Sequence, residues 1–168
     1  MAMIELSQVR GRLALAACLL ALSQMAGCAS ALSREAMAKV TPNLPAGAVL
    51  DNPEHYLGST VLVGGPILSL ENRKDGTLLE ILGYPTSSRG VPDTSEPALG
   101  RFALVHPGFL DGLIFRQGRT VVAAGRIVGH RPVRVGDAER TEPLLQSVEL
   151  KLLPDQPAYS SPIRIGFG

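Results

Sequence analysis

Apolar and polar positions alternate through the middle of this chain with the period of two that marks strands rather than helices. Thr120 to Val128 is the clearest run: Val121, Ala123, Gly125 and Ile127 fall on one face and Val122, Ala124, Arg126 and Val128 on the other. Leu144 to Leu152 also alternates, with Leu144, Val148, Leu150 and Leu152 pointing one way and Glu149 and Lys151 the other. Three earlier strands are predicted over Thr60 to Leu70, Thr77 to Tyr84 and Arg101 to His106. Gly64-Gly65-Pro66 interrupts the first of them, and such residues inside a strand mark a bulge or a sharp bend where a sheet coils to close on itself. Asp75-Gly76 is a hairpin signal between the first two strands. Before them, Asn52-Pro53-Glu54-His55-Tyr56-Leu57-Gly58 combines a capping Asn, Pro at the first helical position and Gly past the end, which predicts a short helical turn.

The connections complete the pattern. Pro85 to Gly100 is a long loop with three prolines, of a length that is uncommon without a function or disorder. His106-Pro107-Gly108 ends the third strand, and Phe109 to Arg116 is expected as a short helix or turn that plugs one end of a barrel with Phe109 and Leu110 buried. Residues 130–142 read as a charged loop. Five strands with a short helical segment between the third and fourth predict an all-β fold, a small antiparallel OB-like Greek-key barrel with one or two short helical turns. A β-sandwich is the alternative.

The N-terminal pattern is different. Arg10 and Arg12 precede an apolar stretch from Leu13 to Leu22, and small residues lead to Met25-Ala26-Gly27-Cys28. That is signal-peptide organisation, with an apolar run too short to span a bilayer. The four residues resemble the bacterial lipobox, which is cut before the cysteine so that the new N-terminal residue carries acyl chains. Cys28 is therefore the expected lipid-attachment site and the membrane the expected partner. Each buried acyl methylene contributes about 0.8 kcal/mol, and several chains on one cysteine anchor durably. The expected organisation is a lipoprotein signal peptide over 1–27, an acylated cysteine and flexible tether over 28–46, the barrel over 47–153 and a Pro/Ser-rich tail over 154–168.

Charge and composition narrow the partners. The chain has 16 basic and 15 acidic side chains, and residues 28–168 keep 14 of each. Nucleic-acid binders usually carry a clustered basic excess and aromatic stacking platforms. Here there is no Trp, with three Tyr and four Phe, so nucleic acid is not an expected partner. Cys18 would leave with the signal peptide, so the domain has no disulfide available and its core must come from Val, Leu, Ile and Ala.

An ordered set of short segments also supports recognition. It comprises Asn52-Pro53 with Tyr56-Leu57-Gly58; Val61 and Gly64-Gly65 before Ile67; and Leu79-Glu80-Ile81 with Pro85 and Pro92. Gly100-Arg101-Phe102, Gly108-Phe109-Leu110-Asp111 and Gly118-Arg119 before Val122 and Gly125 continue it. Together, after a lipobox, they resemble the Slp family of starvation-inducible outer-membrane lipoproteins over most of Asn52 to Gly129. The chain departs from that family in having Thr86-Ser87 where a Leu-Asp pair is common, and in lacking aromatic residues towards the C-terminus. The resemblance implies a lipoprotein of the outer membrane, on its periplasmic side, linked to envelope maintenance or stress adaptation. It brings no catalytic residues. Ala29 and Ser30 after the cysteine, in place of aspartate, resemble lipoproteins sorted to the outer membrane.

Little chemistry is legible beyond this. His55, His106 and His130 are scattered without metal-ligand spacing, and neither a metal nor a cofactor is expected. Ser87, Ser88, His106 and Asp111 are present, but no G-x-S-x-G elbow frames a serine, and a non-enzymatic protein is expected. The alternative is a binding module. OB-type barrels bind through the loops joining strands one to two and four to five. Here those are residues 72–76 and 130–142, carrying Arg73, Lys74, Arg131, Arg134 and Arg140 as candidates for lipopolysaccharide or peptidoglycan. Glu71, Asp75, Asp137, Glu139 and Glu142 stand beside them with opposite charge.

Overall fold

The computed structural model describes residues 30–136 and 138–154, so the expected signal peptide, Cys28 and the expected tail from residue 155 lie outside the described residues. Five strands, β1 (Thr60–Arg73), β2 (Gly76–Gly83), β3 (Gly100–His106), β4 (Thr120–Val135) and β5 (Ala138–Leu152), close into one sheet in the order β1-β2-β3-β5-β4. All pairings are antiparallel except β3 with β5, which is parallel where Ala103, Leu104 and Val105 meet Leu144, Leu145 and Gln146. This is the expected OB-type arrangement, and closure removes the sandwich alternative.

Closure depends on β1. Its residues Thr60 to Pro66 pair with β4, and those from Ile67 to Arg73 pair with β2. The change of partner falls at Gly64-Gly65-Pro66, where the sequence predicts a bend. There Tyr84 N–H donates to the Gly64 carbonyl. Gly65 has φ +154°, and a Cβ on it would lie 1.9 Å from the Leu82 carbonyl oxygen. The bend therefore needs a residue with no side chain.

The interior is aliphatic, as the composition requires. Val61, Val63, Ile67, Leu79, Ile81, Leu104, Val121, Ala123, Ile127 and Leu145 pack around Phe102. The strict alternation expected of β5 fails at one place. The β4–β5 register shifts between Ala124 and Gly125, so that Val148 has no partner of its own, and again between Ile127 and Gly129. A bulge reverses the facing of all residues beyond it. Leu145 rather than Leu144 thus enters the core, Leu150 and Leu152 still pack against it, and Val148 is exposed.

The expected plug is also only half right. Residues 107–119 are turns with no helix. Leu110 is buried, held where its N–H donates to Thr77 Oγ1 at 3.1 Å and Asn72 Nδ2 donates to its carbonyl at 3.1 Å. Phe109, its neighbour, is 77% exposed. Phe109→Ala is therefore expected to change stability by no more than about 0.5 kcal/mol. Leu110→Ala should cost about 2 to 4 kcal/mol through lost transfer energy and a cavity. Chemical denaturation of the two variants orders them; an equal loss would contradict the observed facing.

The largest correction concerns the tether. Residues 30–46 do not run free but fold against the sheet as α1 (Arg34–Lys39), followed by α2 (Ala46–Asp51) and a 3-10 turn (Pro53–Tyr56). The last is the turn predicted over Asn52 to Gly58, with Asn52 Oδ1 accepting from His55 N–H at 3.2 Å. Helices of six residues are not stable alone, so packing must hold them. Leu32 and Ala36 cover Val122 and Ala124 on the outer face of β4, with Leu62 and Leu153 beside them. Ala46 and Val49 enter the main core from one end of the barrel. Ser33 caps α1 by accepting from Ala36 N–H, and its own N–H and hydroxyl donate to the Glu149 carboxylate on β5. Val121 to Ala124 of β4 are apolar on both faces because both are covered there.

Candidate functional site

The segment expected as a mobile, charged loop over 130–142 is a continuation of β4 and β5. Register pairs run from His130 with Pro143 to Val135 with Ala138. This hairpin carries a cluster of charged side chains. Arg131 and Glu142 face each other across it, and Arg131 donates to both the Glu142 and the Glu80 carboxylates. Glu80 alternates with the core residues Leu79 and Ile81, so it points outward from β2 and meets the hairpin there. Ser69 Oγ donates to its second oxygen at 2.9 Å. Glu142 is almost fully buried, and its Oε2 has no hydrogen-bond partner among the described residues. Burial pushes the Glu142 carboxyl above the usual carboxylate range, and the adjacent Arg131 charge opposes that rise.

The other candidates are placed apart from this cluster. Arg73 donates to Glu71 at 2.7 Å at the β1–β2 turn, with exposed Lys74 beside it. Arg134 faces Glu139 and Arg140 faces Val133 across the hairpin, all exposed except Val133. Arg140 also lines a cleft of about 520 Å³ with Leu50, Leu82, Gly100, Arg101 and Glu142. The turn at 73–76 packs near His106 at one end of β2, whereas Leu82 marks the other end. Six residues of strand separate these ends by about 20 Å. The five basic side chains therefore do not converge on one surface, and two of them are neutralised by carboxylates. Sequence reasoning missed the role of Glu80 and Glu142. A lone Glu within Leu79-Glu80-Ile81 was the available signal, since a charge amid a strand needs a partner if anything packs over it.

A second, larger hollow of about 970 Å³ lies between the N-terminal segment and the long loop, lined by Met37, Val40, Leu44, Leu62, Ser87 and Leu99 among others. The loop is ordered by its own bonds: Ser87 N–H donates to Val91 O, Asp93 N–H to Pro85 O and Leu99 N–H to Gly83 O. Of Ser87, Ser88, His106 and Asp111, which a hydrolase would have to bring together, three have partners within the fold. Ser87 Oγ accepts from Val91 N–H, Asp111 Oδ1 accepts from Leu113 N–H, and His106 Nδ1 lies 3.3 Å from Ser147 Oγ.

Partial burial pushes the His106 ring below the usual histidine value. The folded state thus binds this proton less readily than the unfolded chain, so acidification through the ordinary value of 6.5 removes stability. His106→Gln is expected to flatten the decline in unfolding free energy between about pH 7 and pH 5; an unchanged slope would assign the decline to other groups. Among the described residues no three metal-ligating side chains come together, and no helix is long and apolar enough to cross a membrane.

The chain is similar to several known proteins. Among curated proteins the chain is 30% identical over 113 residues to the lipoprotein YeaY of Escherichia coli (strain K12), covering 67% of this chain and 58% of that one. It is 35% identical over 85 residues to the outer membrane protein Slp of the same strain, covering 51% and 45%. It thus spans about half the length of these relatives. Solved structures include an OBody bound to hen egg-white lysozyme (TM-score 0.36, 14% identity, 71% of this chain and 93% of that one). A small single-stranded DNA-binding protein from Streptomyces coelicolor scores likewise (TM-score 0.36, 14% identity, 55% and 92%). The family model for the outer membrane lipoprotein Slp family matches residues 25–166, from the first residue of the lipobox-like segment through the whole closed sheet, and on that match the chain belongs to the Slp family of outer membrane lipoproteins.

Proposed function

We propose that this protein is held in the outer membrane by acyl chains on Cys28, faces the periplasm, and acts without catalysis in envelope maintenance or stress adaptation. The observation that carries this reading is the segment Met25-Ala26-Gly27-Cys28 at the start of the family match. The packing of Ser30 to Val40 on the barrel wall supports a domain held close to its anchor, because only Ala29 separates the cysteine from the first described residue. Cys28→Ala is expected to abolish incorporation of labelled fatty acid, leave the signal peptide uncleaved and remove the protein from the outer-membrane fraction. Continued acylation of this variant would sink the reading.

The second reading is a binding module for an envelope ligand, lipopolysaccharide or peptidoglycan. It is favoured by one observation, the cleft on which Arg101 and Arg140 both lie. Salt-sensitive binding to either purified component, lost in Arg140→Ser, would support it. The balanced charge and scarcity of aromatic residues argue against nucleic acid.

A further inference from the structure

Most exposed large apolar residues on this domain are scattered, as is normal for a soluble surface. Three are not. Phe109, Leu113 and Ile114 are 77%, 85% and 52% exposed within one connection between β3 and β4. The connection is compact rather than loose. Ile114 and Phe115 N–H donate to the Asp111 carbonyl at 3.1 and 2.8 Å, Leu113 N–H donates to the Asp111 side chain at 2.8 Å, and Leu110 is fixed from below. The sequence holds three large apolar side chains outward on a defined turn while an adjacent leucine is buried. Such concentrations mark a surface that meets something apolar.

The path of the N-terminal segment says what that is. Ala31 N–H donates to Arg89 O, and its Cβ lies near Gly90, which also approaches Val122, two residues inside β4 from its start at Thr120. From there the chain runs to Thr41, whose N–H donates to Thr60 O, and Thr60 pairs with Arg126. The segment thus follows β4 in its own direction, so its first described residues, Ser30 and Ala31, lie towards the Thr120 end of that strand. That is the end of β4 to which the 107–119 connection leads, with Gly118 N–H bonded to Ile67 O and Leu153 N–H to Thr120 O. Cys28 is two residues before Ser30, a reach of about 7 Å.

Resting on the reading of Cys28 as the lipid-attachment site, we infer that Phe109, Leu113 and Ile114 enter the membrane surface beside the acyl anchor, so that the barrel stands on the lipid by this end. Apolar side chains at the boundary of headgroups and acyl chains add to the anchor and fix orientation, which acyl chains on one cysteine do not do by themselves. The lipid surface is the occupant because the anchor brings that surface to this end of the fold.

The chain has no Trp, so Leu113→Trp in the full acylated protein gives a single reporter. In vesicles of phosphatidylethanolamine and phosphatidylglycerol its emission is expected to shift to the blue and to be quenched by lipids brominated on their acyl chains. Val148→Trp, on the barrel wall, should remain unquenched. In the unsubstituted protein, amide exchange at residues 112–116 should slow on vesicle binding. A vesicle-bound protein with unquenched Trp at 113, or equal quenching at both positions, overturns the inference and leaves the anchor standing. Absence of acylation and of vesicle binding removes both readings together.

Discussion

Gly65→Ala is expected to destabilise the domain by upward of about 3 kcal/mol, beyond the usual range for overpacked side chains. The added Cβ would lie 1.9 Å from the Leu82 carbonyl oxygen and 3.2 Å from the Tyr84 ring. Those neighbours cannot move independently. Leu82 pairs with Arg101 in the β2–β3 ladder, and Tyr84 N–H is bonded to the Gly64 carbonyl. Relief would therefore separate β1 from β2 at the place where β1 changes partner, opening the sheet rather than distorting a loop. Gly118 supplies the comparison: it has φ +85° and nothing within 4 Å of an added Cβ. Gly118→Ala should cost only the left-handed strain of about 1 to 2 kcal/mol. Urea unfolding of the two variants distinguishes a steric requirement from a conformational one, and similar losses would contradict the close approach at Gly65.

The second large effect is expected at Arg131. Removing one member of a buried ion pair typically costs about 3 to 5 kcal/mol because the remaining charge is left unpaired. Arg131 is a quarter exposed while Glu142 is almost fully buried, so Arg131→Met belongs at the lower end of that range. The pH dependence gives the sign. Loss of Arg131 removes the charge that opposes the rise of the Glu142 carboxyl, so the folded form of the variant binds a proton more readily still than the unfolded chain. Its deficit should be full above that raised value and shrink as the pH falls towards the ordinary carboxylate value of 4.5. Arg131→Met with Glu142→Leu should be more stable than Arg131→Met alone, because the orphaned charge is gone. A double variant no better than the single one would show that Arg131 matters through its packing, not its charge.

These two residues also show how unevenly the structure can be read from the sequence. The bend at Gly64-Gly65 is legible because glycine inside an apolar strand weakens it, and is therefore found where the backbone must bulge or approach another chain segment closely. Arg131 reads as one charge among many in a loop, because nothing local says that the strands continue through His130 to Val135 and back. Bulges have the same property. The shift near Val148 leaves no local mark, and a pattern with period two extrapolates straight through it. The outward Phe109 is likewise hidden, since an apolar residue next to buried Leu110 carries no label for its direction.

By itself the sequence determined the succession of five strands along the chain, the hairpin between the first two at Asp75-Gly76, the capped turn at Asn52 and the lipobox-like segment at Cys28, all features set by neighbours within a few residues. Only the tertiary structure decided that residues 30–46 lie on the barrel wall, that 130–142 form a hairpin with a buried carboxylate, and that Arg73 and Arg140 lie far apart. Helices of six residues and a charged arm have no local energy sufficient to fix their state. The first is placed by the apolar surface of Val122 and Ala124, the second by the β4–β5 ladder and by the Glu80 carboxylate on the outer face of β2, which accepts from Arg131.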